Sequence, residues 1–203
     1  MTHENFSQLA DILRRFIKPV EVQQPSSKYE IITSYIKEVA QELNIPSFVT
    51  DVAVNLILPH VSHLPKYRFV SNKAIGLAVL YVATKYSCYF KEILEKIANF
   101  ERREYTVKKS FVLNIAREIE KMLNLDINVL HEVCVEKLRI ICREKQLNEN
   151  EVLELYMKAR EKGEYPSRAL IKALVKTNKL MTKEIADLMR SSRTFVFLVS
   201  KER

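Results

Sequence analysis

Glycine is nearly absent from this chain, which contains only Gly76 and Gly163 among its 203 residues. A dinucleotide-binding fingerprint needs three glycines within six residues, and a phosphate-cradling loop needs a glycine-rich turn that ends in Gly-Lys-Ser or Gly-Lys-Thr. Tight β-hairpins also use glycine for their positive φ angles. The sequence therefore excludes nucleotide-loop enzymes of these types and predicts an all-α protein.

Apolar residues recur at three- and four-residue intervals along most of the chain, which is the spacing of an amphipathic helix. They predict ten helices in two sets of five. The first set is expected at about 29–44, from Pro46 to between Pro59 and Pro65, at 72–87, 90–99 and 106–122. The second set is expected to begin near 128, 148, 166, 182 and 192. Six residues are predicted to cap these helices: Ser71, Thr106, Asn128, Asn148, Thr182 and Ser192.

The same pattern divides the chain into three segments. Residues 1–27 are predicted to hold an amphipathic helix and a proline-containing linker, residues 28–125 a first five-helix repeat, and residues 126–203 a second, shortened repeat. The third helix of the first repeat is apolar almost all round, so it is expected to be the buried centre of a bundle. Two roles are open for the N-terminal helix, which either docks on the core or binds a partner. Its apolar residues are Phe6, Leu9, Ile12, Leu13, Phe16 and Ile17.

No feature of the sequence points to a membrane protein or to an enzyme. No apolar run reaches the roughly 18 residues that span a bilayer, and the first residues do not resemble a secretory signal. We therefore expect a soluble protein of the cytoplasm, or of the nucleus in a eukaryote. His60 and His63 have no third ligand at a suitable spacing, and no nucleophile is paired with a base. The sequence predicts no cofactor, no metal and no catalytic site.

The three cysteines are expected to be buried thiols. Cys134 and Cys142 lie on one predicted helix, about 12 Å apart along its axis, which is too far for a disulfide. Cys88 stands alone in the sequence. There is no Cys-x-x-Cys pair of the kind that zinc ribbons use.

Positive charge is concentrated near the C-terminus. The formal net charge is +8, and residues 165–203 contain nine Lys or Arg residues against three Asp or Glu residues. A local excess of this kind is typical of contact with an anionic surface such as nucleic acid.

Residues 182–201, in this basic segment, have the spacing of a helix-turn-helix. Ala186 occupies the small position at the helix contact, and Ser191 and Ser192 form the turn and cap the second helix. Arg190 stands where glycine is usual. Arg193, Thr194 and Lys201 are candidate base or phosphate contacts. Two apolar residues, Phe197 and Leu198, fall on the groove-facing side, where they could contact thymine methyls or dock a protein.

Residues from about 28 to 203 resemble the twin cyclin-fold core of the transcription initiation factor B family of archaea and eukaryotes. Four motifs carry the resemblance, and each matches one joint or helix of that core. They are Lys73-Ala-Ile-Gly-Leu-Ala-Val-Leu-Tyr-Val-Ala-Thr-Lys85, Lys91-Glu-Ile-Leu-Glu-Lys-Ile-Ala98, Lys162-Gly-Glu-Tyr-Pro-Ser-Arg168, and Lys183-Glu-Ile-Ala186 through Lys201-Glu-Arg203.

The resemblance implies a protein that binds double-stranded promoter DNA together with TATA-binding protein. It assigns base or phosphate contacts to the C-terminal helix pair and backbone contacts to the fifth helix of the first repeat. The residues are Lys183, Arg190, Ser192, Arg193, Thr194 and Lys201 in the former, and Lys108, Lys109 and Ser110 in the latter. The zinc ribbon that binds RNA polymerase in that family is missing, since no cysteine precedes Cys88. RNA polymerase or another transcription factor is an expected partner, and the alternative is a cyclin-like protein-binding module without DNA binding.

Overall fold

The computed structural model describes residues 8–20, 26–61, 64, 67, 69–89, 91–100 and 107–202. These residues form helices and connecting turns without any β-strand, which confirms the all-α prediction. Across the described ranges, no helix combines the length and the apolar character that crossing a membrane would need.

The described residues contain eleven helices, one near the N-terminus followed by two sets of five. Helix α1 is Gln8–Phe16. The first set comprises α2 (Ser27–Glu42), α3 (Ser47–Asp51 continued by Val52–Ile57 and Leu58–Val61), α4 (Asn72–Lys85), α5 (Lys91–Ala98) and α6 (Lys109–Met122). The second set comprises α7 (Ile127–Lys145), α8 (Glu149–Glu161), α9 (Pro166–Lys176), α10 (Thr182–Met189) and α11 (Arg193–Lys201).

The two sets have the same arrangement around their third helix. In the first set, the third helix, α4, contacts all four of the others, and in the second set the third helix, α9, does the same. Ten of the fourteen residues of α4 are buried, as its uninterrupted apolar sequence predicts. The division into two repeats of a cyclin-like kind stays a prediction, to which this shared arrangement lends support.

Gly76 lies where α4 comes closest to α2. A Cβ atom at this position would lie 2.9 Å from Cδ1 of the Tyr35 ring and 3.5 Å from Cγ1 of Ile36. Because real Cβ atoms do not approach a ring carbon this closely, glycine allows the two helix backbones to pack against each other.

Helix α3 is continuous through Pro59 and ends at Val61, between Pro59 and Pro65 as the sequence predicts. A π-helical stretch, Val52–Ile57, precedes the proline, and the Leu58 N–H donates to the Ala53 carbonyl. The wider turn shifts the hydrogen-bond register just before Pro59, whose nitrogen has no N–H to donate. The Nε2 atom of His60 bonds to the Lys18 carbonyl at 2.9 Å, which fixes the N-terminal segment on α3. Thr106, His63 and Phe6 lie outside the described residues.

Helix α1 packs against α7 of the second set, and its apolar face is covered. Leu9 and Leu13 are fully buried, and Ile12 and Ile17 are nearly so. Of the two roles predicted for this helix, docking on the core is therefore confirmed. In this position, α1 does not offer its apolar stripe to a partner.

The prediction of three free thiols is wrong at two positions. Cys88, in the segment between α4 and α5, forms a disulfide with Cys134 of α7, with Cα atoms 5.4 Å apart. Cys142 is the one free cysteine, and it is buried. The sequence indicated no partner for Cys88 because the two residues are 46 positions apart and come together only when the two sets pack. The disulfide therefore links the first set to the second.

The helix starts follow the predicted caps in part. Asn148 accepts from the Glu151 N–H and Ser192 from the Phe195 N–H, as predicted. Asn128 and Thr182 are not caps. Asp126 caps α7 and accepts from Asn128 N–H and Val129 N–H, and Met181 occupies the N-cap position of α10.

Candidate nucleic-acid interface

The candidate interface is built on α10 and α11, two short helices joined by a tight turn. Helix α10 ends at Arg190, whose φ of 50° lies in the left-handed region, and the Ser191 N–H donates to the Ala186 carbonyl at 2.9 Å. This bond closes the helix end in the manner of a Schellman motif. The Ser192 hydroxyl then accepts from the Phe195 N–H at 3.1 Å and starts α11. The turn and its cap therefore lie where the sequence predicts them.

One side of this helix pair is packed on α9. The buried residues of α10 and α11 are all apolar, and both helices contact α9. This packing fixes the orientation of α11 relative to the second set. The residues are Ile185, Ala186, Leu188, Met189, Val196 and Val199.

The opposite side of α11 is exposed to solvent. Its residues Arg193, Thr194, Phe197, Leu198 and Lys201 are what we call the exposed face of α11. Phe197 is 50% exposed and Leu198 56% exposed, so both remain largely open to solvent. The Lys201 ammonium lies 4.6 Å from the centre of the Phe197 ring. Lys183, on α10, is also exposed. The structure thus collects four of the predicted contact residues on the surface of one helix pair.

Two of the predicted contact residues have structural roles. The Ser192 hydroxyl caps α11 and also donates to Oε1 of Glu92 at 2.8 Å, so it is used as both acceptor and donor. Arg190 is half-buried. Burial raises the pKa of Tyr89, and the positive charge of Arg190 opposes that shift; burial lowers the pKa of Lys137, and the same charge adds to that shift. The other candidates of the helix pair are exposed to solvent.

Glu92 is a feature of the interface that the sequence analysis did not predict. It lies on α5 of the first set, 100 positions before Ser192, and places a carboxylate at the N-terminal end of α11. Helix N-termini favour negative charge, so this contact stabilises the junction between α5 and α11. The same carboxylate repels any phosphate that approaches this end of the helix. No sequence pattern could have revealed it, because it depends on how the two sets pack.

Part of the C-terminal positive charge is neutralised inside the second set. Arg168 pairs with Glu164 at 2.9 Å and with Glu202 at 2.7 Å, and Lys172 pairs with the same two carboxylates. Hydrogen bonds from Lys172 and Arg168 lower the pKa of Glu202, and hydrogen bonds to Glu164 and Glu202 raise the pKa of Lys172. An anionic ligand would therefore contact fewer free positive charges than the charge excess of residues 165–203 suggests. Its exposed part is Lys176, Lys179, Lys183, Arg193 and Lys201.

The predicted contacts in the first set lie at a different place. Lys108 and Lys109 are exposed at the start of α6, and Lys108 is the N-cap residue without a side-chain capping bond. Lys108 lines an open cavity of about 760 Å³ together with Lys73, at the start of α4. Two half-exposed apolar side chains, Ile31 and Phe111, also line it. The convergence of the two helix starts results from the packing of α4 against α6, so no sequence pattern near either lysine predicts it.

Among the residues that the structure describes, no group of three or more His, Cys, Asp or Glu side chains could hold a metal ion. No family model, no curated protein and no solved structure matches this chain. The functional argument therefore depends on the geometry and charge of the chain itself.

Proposed function

We propose that this protein binds double-stranded DNA through the exposed face of α11, and that it acts in transcription as a factor or regulator similar to the core of transcription initiation factor B. The observation that carries the proposal is the position of Arg193, Thr194 and Lys201. They lie on the open side of a short helix whose other side is held by α9 and α10. A helix presented in this way fits the major groove of B-form DNA.

The electrostatics of α11 support the proposal. The helix sequence contains Arg193 and Lys201 and no acidic residue. Glu202, just beyond it, is bonded to Arg168 and Lys172 and so does not oppose these charges strongly. Lys183 adds a further exposed positive charge from α10, suited to a backbone phosphate.

A duplex-binding titration at several salt concentrations tests the proposal. We expect the full chain to bind a pool of duplex DNA at low salt and to lose affinity steeply as the salt concentration rises, because bound cations are released from the phosphates. The variant Arg193→Ala/Lys201→Ala should bind about tenfold or more weakly and show a salt slope smaller by about 2. Lys37→Ala, which removes an exposed charge from α2, is the control. Wild-type protein that binds no duplex at low salt would contradict the proposal.

A second titration addresses the partners. Adding TATA-binding protein to a duplex with a TATA element should increase the affinity of this chain if the two proteins bind side by side. In that ternary complex, Lys108→Ala/Lys109→Ala should weaken binding, because the resemblance assigns these lysines to backbone phosphates. Contact with RNA polymerase belongs to the same proposal.

A protein-binding module of the cyclin type is the second candidate function. It is favoured by the half-exposed apolar side chains at two surfaces, Phe197 and Leu198 on α11, and Ile31 and Phe111 at the cavity of the first set. Exposed apolar groups of this kind are common where proteins dock. Under this alternative, the chain binds no DNA at any salt concentration.

A further inference from the structure

Phe197 and Leu198 occupy the middle of the exposed face of α11. Arg193, Phe197 and Lys201 follow one another at intervals of four residues, so they form one row along the helix. Thr194 and Leu198 form the neighbouring row with the same spacing. Two large apolar side chains therefore lie at the centre of the surface, with a cation one turn away in each direction.

The dimensions of this face match a short stretch of duplex. Arg193 and Lys201 are eight positions apart, which corresponds to about 12 Å along the helix axis. Successive base pairs are about 3.4 Å apart, so the face spans three to four base pairs. Phe197 and Leu198 would then meet the central pairs, while the two cations reach the edges of the same stretch.

In the major groove, thymine presents a group that suits an apolar side chain, the C5-methyl group. Cytosine presents an amino donor, and guanine presents two acceptors. An apolar side chain placed against any of these polar groups excludes water without replacing its hydrogen bond, which is unfavourable. Phe197 and Leu198 would therefore be tolerated best opposite thymine.

We propose that Phe197 and Leu198 read the C5-methyl groups of thymines at the centre of a three- to four-base-pair site in the major groove. The inference depends on the proposed DNA binding and adds the base preference of the same surface. Charge favours DNA over an apolar protein partner as the occupant, because cations flank the apolar pair at both ends and the helix itself has no carboxylate.

Deoxyuridine tests this inference, since it differs from thymidine only by the missing C5-methyl group. A duplex that binds the full chain is first selected from a random pool, and its thymines are then replaced by deoxyuridine one position at a time. We expect one or two positions at which the replacement weakens wild-type binding about fourfold, the value for one buried methyl group. At other thymines the replacement should have no effect.

The variant Phe197→Ala/Leu198→Ala supplies the second half of a double-mutant cycle. It should bind the thymine duplex and the deoxyuridine duplex equally, because the side chains that contact the methyl group are gone. Phe69→Ala, which removes a highly exposed aromatic ring from another part of the chain, should keep the fourfold difference. The wild-type comparison does not require the variant to fold.

Three results would overturn the inference, and they separate it from the proposed function. If the wild-type chain binds duplex DNA but deoxyuridine has no effect at any position, the methyl contact is absent and DNA binding stands. If the double variant keeps the fourfold difference, other residues read the methyl group. If no duplex binds, both the proposed function and this inference fail.

Discussion

Lys137 is the residue whose surroundings depart most from those usual for its type. Its side chain has no exposed surface, its Nζ donates to the Cys88 carbonyl at 3.1 Å, and it lies 3.6 Å from the centre of the Tyr89 ring. Burial, with a further contribution from the charge of Arg190, lowers its pKa well below the ordinary value. The lysine therefore joins α7 to the segment after α4 by one hydrogen bond and one contact with the Tyr89 ring, next to the disulfide.

This environment predicts a particular pH dependence of stability. Since the pKa of Lys137 is lower in the folded chain than in the unfolded chain, the unfolded chain binds an extra proton between the two values. The free energy of unfolding should therefore rise with pH in that window, by at most about 1.4 kcal/mol per pH unit. Lys137→Met removes this contribution, so its stability relative to the wild type should fall as the pH rises toward 10.5, the ordinary pKa of lysine. Urea titrations at each pH would measure the difference.

Lys37→Met is the control for that experiment, because it removes an exposed positive charge from α2. Wild type and variants share the same tyrosines, so the titration of these groups cancels in the comparison. Parallel stability curves for the wild type and Lys137→Met would show that the buried lysine does not titrate differently on folding. The sequence contained a sign of this site, since Lys137 falls between Cys134 and Ile141 on the apolar stripe of α7.

At the scale of helices, residues other than glycine adopt the left-handed conformation that glycine usually provides at helix ends. Positive φ values occur at Asn44, Asn124 and Asn178, near the ends of α2, α6 and α9, and also at Gln146 and Arg190. Asparagine tolerates this region better than most residues because its short side chain can hydrogen-bond locally. The sequence patterns predicted where helices start but not these helix ends, except at Arg190. The start of a helix could be predicted only to within about two residues. At α7, for example, Asp126 and Asn128 are both residue types that cap helices well.

The contact between α5 and α11 leads to a prediction about DNA binding. Glu92→Gln keeps a hydrogen-bonding side chain beside Ser192 but removes a negative charge from the end of α11. If a phosphate approaches this end to within about 8 Å, its repulsion in water is about 0.5 kcal/mol, so the variant should bind duplex DNA about twofold more tightly at low salt. The difference should shrink as the salt concentration rises.

Glu95→Gln is the matched control for this experiment. Glu95 lies on the same helix and pairs with Lys91 at 3.4 Å. Its removal changes the net charge by the same amount at another position of α5. An equal gain of affinity from both variants would indicate a general charge effect and would contradict a phosphate near the start of α11.

At the scale of the whole molecule, local pattern and long-range packing were predictable to different degrees. The helical class, the order of the helices and the turn at Arg190–Ser192 follow from residues close together in sequence, and they could be predicted. Three features could not: the contact of Glu92 with Ser192, the convergence of Lys73 with Lys108, and the pairing of Arg168 with Glu202. Each joins residues of different helices, so its formation depends on the packed structure. Periodicity identifies a face of a helix but not the face that covers it.

The disulfide between Cys88 and Cys134 is expected to stabilise the molecule strongly. It closes a loop of 46 residues and holds the segment after α4 against α7. In the chain-entropy description, a loop of this length stabilises the folded state by about 4 kcal/mol, because the cross-link restricts the unfolded chain. Cys88→Ala/Cys134→Ala should therefore lower the free energy of unfolding by about 3–4 kcal/mol in a denaturant titration, and the wild type with reductant should lose a similar amount.

Alkylation tests the bond itself independently of that stability measurement. Wild-type protein unfolded without reductant should take up one alkyl group, on Cys142, and three after reduction, as counted by mass spectrometry. Cys142→Ala should take up none without reductant and two with it, while its disulfide stays intact. Three alkyl groups on the unreduced wild type would show that Cys88 and Cys134 are not joined. Burial of Lys137 and docking of α5 against α11 would then have to hold the two sets together, and reductant would leave the unfolding midpoint unchanged.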